Sequence, residues 1–499
     1  MSSDLSMSVL EHPIEHRPAK LSGLSWLAIL GGAAALAYLI YATYFVHQAP
    51  VVGHGGVSNG HGHVPPMWAC LPFVALLLSI ALLPLIPATA HWWESNQNRL
   101  GASLFFSGVT LTYYAVADGL NSITLVLEHA LLVDYIPFIV LLFSLYVISG
   151  GISLRGDLAA HPSTNTAFLA IGAAIASFIG TTGASMVLIR PLLQTNQERK
   201  HVRHTVIFFI FLVSNVGGLL LPIGDPPLFL GFLRGVPFLW TMSLFVPWLV
   251  TTAALLAVYF VWDTIAYRKE ERADIQRDET QRIPLSLTGK INLFYLLGIV
   301  LCVATLVPGK DFLGLGIFTP FPFLREIVML LLVALSLKTT EPAIRKANKF
   351  NYHAILEVAA LFVGIFICMQ VPINILNARG AELGLSEPWH FFWATGILSS
   401  FLDNAPTYVV FFETAKVMPA GDNMLELAGH GQISVEILRA ISLGAVFMGA
   451  MTYIGNGPNF MVKSIAEQSG IRMPSFFGYM FYSVVVLIPI FVLVTIIFV

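Results

Sequence analysis

Charge is what this sequence has least of. Only 11% of its 499 residues are Asp, Glu, Lys or Arg, against about 25% in a typical soluble protein. Hydrophobic residues make up 56%, and the mean hydropathy is +0.78. A soluble globular fold is excluded on that shortfall, and an all-α polytopic membrane protein is expected. Positive charge is not in surplus either: the formal net charge is −2, so there is no basic surface for nucleic acid. Cysteine is scarce. Cys70, Cys302 and Cys368 lie far apart in apolar segments, without metal-ligand spacing, and read as small core residues. Enzyme motifs are missing as well. HExxH, Walker A and CxxC do not occur, "PIGDPP" lacks the glycine of a GxGD site, and nothing resembles a channel filter.

What the chain does have is long apolar runs. The first 21 residues are polar, and the run from Leu21 to Val46 is too long for a signal-peptide core, so it is expected to be a retained span. A helix needs about 20 mostly apolar residues to cross the hydrocarbon layer. Runs of that kind fall near 66–88, 100–118, 133–153, 205–223 and 238–262, then near 291–309, 322–338, 354–377, 437–455 and 476–499. Two shorter pieces, after "GTTGAS" and after "LDNAPT", are soon interrupted by Arg190 and Lys416. Two half-helices meeting at a polar tip describe a re-entrant hairpin, about 166–193 and about 388–415.

The hairpins occupy the same place in each group of five, which pairs Thr182 with Asn404, and "PIGDPPLFL" (222–230) corresponds to "YIGNGPNFM" (453–461). The organisation expected is therefore an N-terminal part (1–65), a first repeat (66–262), a linker (263–290) and a second repeat (291–499), about 11 spans in all. Because five is odd, the second repeat enters the membrane from the opposite side. Charge agrees. With the N-terminus inside, only Arg234, Lys310, Arg325, Arg379, Lys416 and Arg439 of the 26 basic residues fall outside, as the positive-inside rule requires. A bacterial-type plasma membrane, N-terminus in and C-terminus out, is the expected setting. "RKEERADIQRDETQR" (268–282) reads as a solvated tether, and the loop carrying His54, His61 and His63 as flexible and His-rich.

Inverted repeats with interrupted helices bind substrate and ions near the midplane, where broken helices expose N–H groups at one end and carbonyls at another. Four interruptions converge on this reading. The tips supply Thr181, Thr182 and Ser185, and Asp403, Asn404 and Thr407; the unwound segments supply Ser214, Asn215 and Asp225, and Thr452, Asn456 and Asn459. Their oxygens suit a hard cation, with Na⁺ expected at Asp403, Asn404 and Thr182. Simpler roles compete: Asp403 as a half-helix cap, Asp225 as the start of a turn, the hydroxyls as interhelical glue. Glu357 is a proton site or an interfacial residue, and Lys463 snorkels to the inner surface.

"IGTTGASMVLIRPLL" followed by "GDPPLFLGF", then "FLDNAP" followed by "GNGPNFMVKSIAE", resembles the ion transporter superfamily over roughly residues 66–499. The likeness is greatest to NhaD-type sodium/proton antiporters and to a sister group named for citrate transport. It implies two inverted repeats, one hairpin in each, a homodimer joined through scaffold helices, and a hairpin-bearing domain that moves against that scaffold. Dicarboxylate-carrying relatives use Ser-Asn-Thr at both tips, and this chain has neither copy. The expectation is thus a secondary transporter without cofactor, exchanging Na⁺ for H⁺ at Asp403, with a citrate-like organic anion coupled to Na⁺ or H⁺ as the alternative.

Overall fold

Proline and glycine divide the apolar runs, and their positions account for most of the breaks. The computed structural model describes residues 64–280, 284–307, 320–418, 423–428 and 431–499. The expected first span, the His54–His63 loop and Lys310 lie outside them. The described chain opens with α1 (Leu71–Leu82) and α2 (Pro87–Trp93), bent by 101° around Pro84 and Pro87. Next come α3 (Asn96–Asp118) and α4 (Leu120–Ser149), separated by Gly119 at φ +87°. α5 (Pro162–Ile179) and α6 (Thr181–Thr195) meet at Gly180, φ +77°. α7 (Arg203–Leu212), α8 (Pro226–Leu233), α9 (Phe245–Tyr267) and α10 (Arg272–Thr280) complete the first half and the linker. The second half holds α11 (Ile291–Thr305), α12 (Leu324–Thr339), α13 (His353–Leu383), α14 (Pro388–Phe401), α15 (Asn404–Lys416), α16 (Val435–Met448), α17 (Gly457–Gln468) and α18 (Phe476–Phe498). Two antiparallel ribbons are added: β1 (Ser153–Arg155) on β2 (Ser286–Thr288), and β3 (Met424–Leu427) on β4 (Gly431–Ser434).

Each of the ten runs from 66 onward carries a helix, but fewer reach full crossing length. Among the described residues seven helices are long and apolar enough to span, or eight with the bent pair at Met67–Trp93. α11 and α12 are short, at 15 and 16 residues, and α16 stops after 14 where the chain unwinds. α5, at 18 residues, reaches span length although it belongs to a hairpin. Its return is marked at the feet: the side chains of Asn165 and Asn196 exchange hydrogen bonds of 2.8 and 2.9 Å. In the second hairpin Phe391 and Phe411 meet edge to face, 6.5 Å apart, so the two arms lie side by side there too.

Contacts also sort the connecting segments onto two faces. On one, Ala160, Asp278, Arg199, Glu270, Arg203 and Arg472 are joined by hydrogen bonds or ion pairs, and Arg345 and Asn348 reach Val147 and Gly150. On the other, Arg234 meets Glu413, and Ala428 N–H donates to Gly235. The buried apolar side chains form two large clusters. One combines α5–α7, α9 and α14–α18; the other combines α1–α4 and α11–α13; α6, α8 and α15 contribute side chains to both. Both draw on both halves of the chain. Exposed Phe477, Phe481 and Ile496 leave α18 an apolar outer face suited to lipid.

The linker departs from its expected role as a solvated tether. Asp278 accepts from Ala160 N–H at 3.0 Å, and Glu270 accepts from the N–H groups of Lys200 and His201 at 3.0 and 2.8 Å. Asp263, at the end of α9, holds Arg199 through both carboxylate oxygens and His204 at 2.8 Å. The linker is therefore pinned to the foot of the first hairpin, because its acidic residues satisfy backbone donors left open where α6 ends.

Close backbone approach gives two glycines a steric duty. A Cβ on Gly224 would lie 2.2 Å from the Gly218 carbonyl oxygen, and one on Gly455 would lie 2.6 Å from that of Gly449. Gly457, by contrast, has nothing within 4 Å. Gly224→Ala should therefore cost about 3 kcal/mol and lower the melting temperature of the purified protein in detergent. Gly457→Ala should stay within about 0.5 kcal/mol. Equal melting temperatures for the two would show that the backbones are not in contact.

Candidate functional site

Asp225 immediately precedes α8 with extended backbone, φ −143° and ψ 143°, the position from which a side chain normally caps its own helix. It makes no such cap. The first two helical residues are Pro226 and Pro227, which have no N–H to satisfy, so the carboxylate is released for other partners. Oδ1 accepts from Thr181 Oγ1 at 2.9 Å and from Asn456 Nδ2 at 3.0 Å, while Oδ2 accepts from Asn404 Nδ2 at 2.7 Å. These donors come from the first hairpin tip, the second unwound segment and the second hairpin tip. Asp225 is 1% exposed, and among the described residues no Lys, Arg or His forms an ion pair with it.

A second layer braces the first. Asn456, at the equivalent position before α17, likewise leaves its helix uncapped and turns its amide on Asp225, Asn215 Oδ1 and the Ser214 carbonyl. Asn215 donates to Asn459 Oδ1 at 2.7 Å and to the Ile210 carbonyl at 2.8 Å, covering an acceptor exposed where α7 unwinds. Asn459 donates to the carbonyls of Gly449 and Thr452, and Ser185 and Ser214 hydroxyls pair at 2.8 Å. Thr452 donates to the Ser400 carbonyl and accepts from the N–H groups of Ile454 and Gly455.

The other candidates are placed differently. Asp403 is half-buried at the second tip and caps α15, accepting from Ala405 N–H at 3.0 Å, while Thr407 donates to the Asp403 carbonyl. Thr182 is half-buried, and Thr181 rather than Thr182 is the residue that corresponds to Asn404, since each opens the second arm of its hairpin and donates to Asp225. Of the three residues proposed to hold Na⁺, only Asn404 reaches the central carboxylate. Glu357 is remote from the group and pairs with Arg99 at 3.0 Å. Lys463 lies 3.5 Å from Glu467 and over the rings of Tyr453 and Phe460.

Two serines escape a search for polar tips. Ser177 donates to the Gly217 carbonyl, and Ser400 donates to the Met448 carbonyl at 3.1 Å, which stitches each hairpin's first arm to the facing unwound segment. Both stand four residues before the tip residue that touches Asp225. That shared offset is visible in the sequence once Thr181 is aligned with Asn404.

The arrangement offers charge of both signs. α6, α8, α15 and α17 all begin at this group, so four helix N-termini direct partial positive charge toward it. Carbonyls at the ends of the preceding arms are largely taken up by the serines and asparagines. Asn404 Oδ1 is buried without a hydrogen-bond partner, on the same side chain that donates to Asp225. An acceptor and a carboxylate side by side fit a hard monovalent cation. Among the described residues no three His, Cys, Asp or Glu side chains are grouped to hold a metal ion, which disfavours transition-metal ligation.

Asn456→Ala would remove the donor that joins Asp225 to the α7 break. The expected cost is about 1–3 kcal/mol, read as a lower melting temperature. Asp225→Asn alone should also destabilise, but the double variant should lose less than the sum of the two. Strict additivity would mean that the two side chains do not interact.

Residues 62–499 match the model of a family described as "Putative citrate transport". No curated protein matches the chain. The match runs through both hairpins, both unwound segments and all of the described helices, and the chain accordingly belongs to this family of membrane transporters in the ion transporter superfamily.

Proposed function

We propose that the protein is a sodium/proton antiporter in which Asp225 is alternately bound by Na⁺ and by H⁺, with Asp403 as a neighbouring carboxylate at the moving tip. One observation carries this reading: a carboxylate that is 1% exposed is held by neutral donors alone. A buried charge without a counter-charge is costly, and a cation or a proton removes that cost. Competition for one carboxylate then couples the two ions without further machinery. Three hydrogen bonds and four helix N-termini stabilise the empty anion enough for the ion to leave again.

A second reading rests on the family description and on those same helix N-termini. Backbone N–H groups at a helix start bind carboxylates well. In that case a citrate-like anion would sit against α6 and α15, and Na⁺ or H⁺ at Asp225 would be its coupling ion. The basic-residue bias supports an N-in, C-out orientation in a bacterial-type plasma membrane, and the resemblance supports a homodimer.

Proteoliposomes separate the two readings. Collapse of an imposed pH gradient on adding Na⁺, in buffer free of citrate, is expected for antiport. Na⁺- or H⁺-dependent uptake of labelled citrate without such collapse would replace it with the second reading. Asp225→Asn should reduce exchange at least about a hundredfold, since no other group in the cluster both ionises and accepts from both tips. Asp403→Asn should retain part of it, because a cap can be replaced by an amide at a cost of only tenths of a kcal/mol, roughly. Full exchange in Asp225→Asn would remove Asp225 from the mechanism.

A further inference from the structure

On the face opposite the linker, four buried charges run in a row from α4 to α15. Asp134 on α4 meets Arg234 at 3.2 Å; Arg234, just past α8, meets Glu413 on α15 at 3.1 Å; Glu413 meets Lys416 at 3.0 Å. Their side chains are 3–9% exposed. On the α4 side, His129 lies 3.6 Å from Asp134. Such a row contributes little net stability against apolar residues of the same volume, because desolvation offsets the attraction. Its position matters more. α15 is the second arm of hairpin 2, and α8 begins at Asp225, so the row stands at the far ends of two helices that start in the candidate site.

The residues around Asp134 add an independent observation. Glu128–Tyr135 is a π-helical turn within α4, in which Ile136 N–H reaches the Leu131 carbonyl five residues back. Pro137 follows directly and supplies no N–H, so the regular ladder cannot pass through it. A π turn holds one residue more than an α turn, and it shifts register by migrating along the helix. A shift of one residue would swing Asp134 by about 100° around the axis, off Arg234.

The opposite foot is built otherwise. Arg199, between α6 and α7, pairs with Asp263 on α9, which also holds His204 on α7, and none of the three lies on α1–α4 or α11–α13. Among the described residues, Asp134 ties α4 to Arg234 past α8 and, through Glu413, to α15.

We propose that Asp134, Arg234, Glu413 and Lys416 form an ion-pair clasp that holds hairpin 2 against α4 and closes this face, and that the π turn of α4 is the element that releases it. The inference rests on the transport reading for its purpose, but not for its test. In a background with Cys70, Cys302 and Cys368 replaced by alanine, Leu402→Cys places a thiol at the hairpin-2 tip. A membrane-impermeant maleimide is applied to each face of the membrane separately. Asp134→Asn should speed labelling from the clasp face about tenfold, and leave the linker face no faster. Asp134→Asn with Arg234→Gln removes one charge of each sign and keeps Glu413 paired with Lys416. This double variant should label as fast, and it serves if the single variant fails to fold in detergent. Unchanged labelling in a folded variant would overturn the clasp. Wild-type protein that moves neither Na⁺ nor citrate would overturn the transport reading and leave the labelling result standing.

Discussion

Asp225 imposes one demand on the rest of the molecule: a carboxylate taken out of water must be surrounded by donors. No single helix can meet it, because a continuous helix spends its N–H groups on its own ladder. The chain meets it by interrupting four helices at one place, so that Thr181, Asn404 and Asn456 arrive from three different segments. Each interruption in turn exposes carbonyls, and these account for Ser177, Ser400, Asn215, Asn459 and Thr452. The glycine pairs Gly218–Gly224 and Gly449–Gly455 follow from the same demand, since the unwound strands must pass within contact distance to deliver their side chains.

The two unwound segments are alike in local backbone and differ in chemistry where matching would fail. Asp225 and Asn456 hold equivalent positions, with nearly the same backbone angles. Two carboxylates there would repel across a hydrogen-bond distance, whereas an amide donates. The first hairpin turns on Gly180 at positive φ. The second has Asp403 at that place, with φ −58° and its carboxylate capping the arm that follows. Similar local backbone therefore carries different side chains at the two breaks, and those side chains set which partner holds the charge.

Much of this was legible in the residues. Each apolar run from 66 onward carries a helix, and the polar interruptions "GTTGAS", "LDNAPT", "PIGDPP" and "YIGNGP" fall at the candidate site, because a break in an apolar helix has few other uses. The prominence given to Asp403 over Asp225 was not supported by contacts. Sequence shows that a carboxylate stands at a tip, but whether it caps its own helix depends on which N–H groups remain, and at Asp225 it was the double proline that removed them. Thr182 was paired with Asn404 one residue out of step, since hairpin register depends on the glycine turn rather than on the hydroxyls beside it. The linker's acidic residues read as solvated for a similar reason: their partners are backbone N–H groups around Ala160 and Lys200, which no side-chain pattern reveals.

Any movement of the hairpins would be constrained by where the remaining charges sit. At the foot of hairpin 1 Arg199 pairs with Asp263 on α9, outside α1–α4 and α11–α13, so that pair would travel with the hairpin and need not break. At the foot of hairpin 2 the row from Lys416 to Asp134 ends on α4. A rigid displacement of several ångströms leaves the first group intact and parts the second, since an ion pair in a low-dielectric setting loses most of its attraction once water enters the gap. The two ends of the molecule are thus unequal in the work needed to open them. In the proposed cycle, exposing Asp225 first to one side and then to the other would draw on the binding energy of its ions to overcome that inequality.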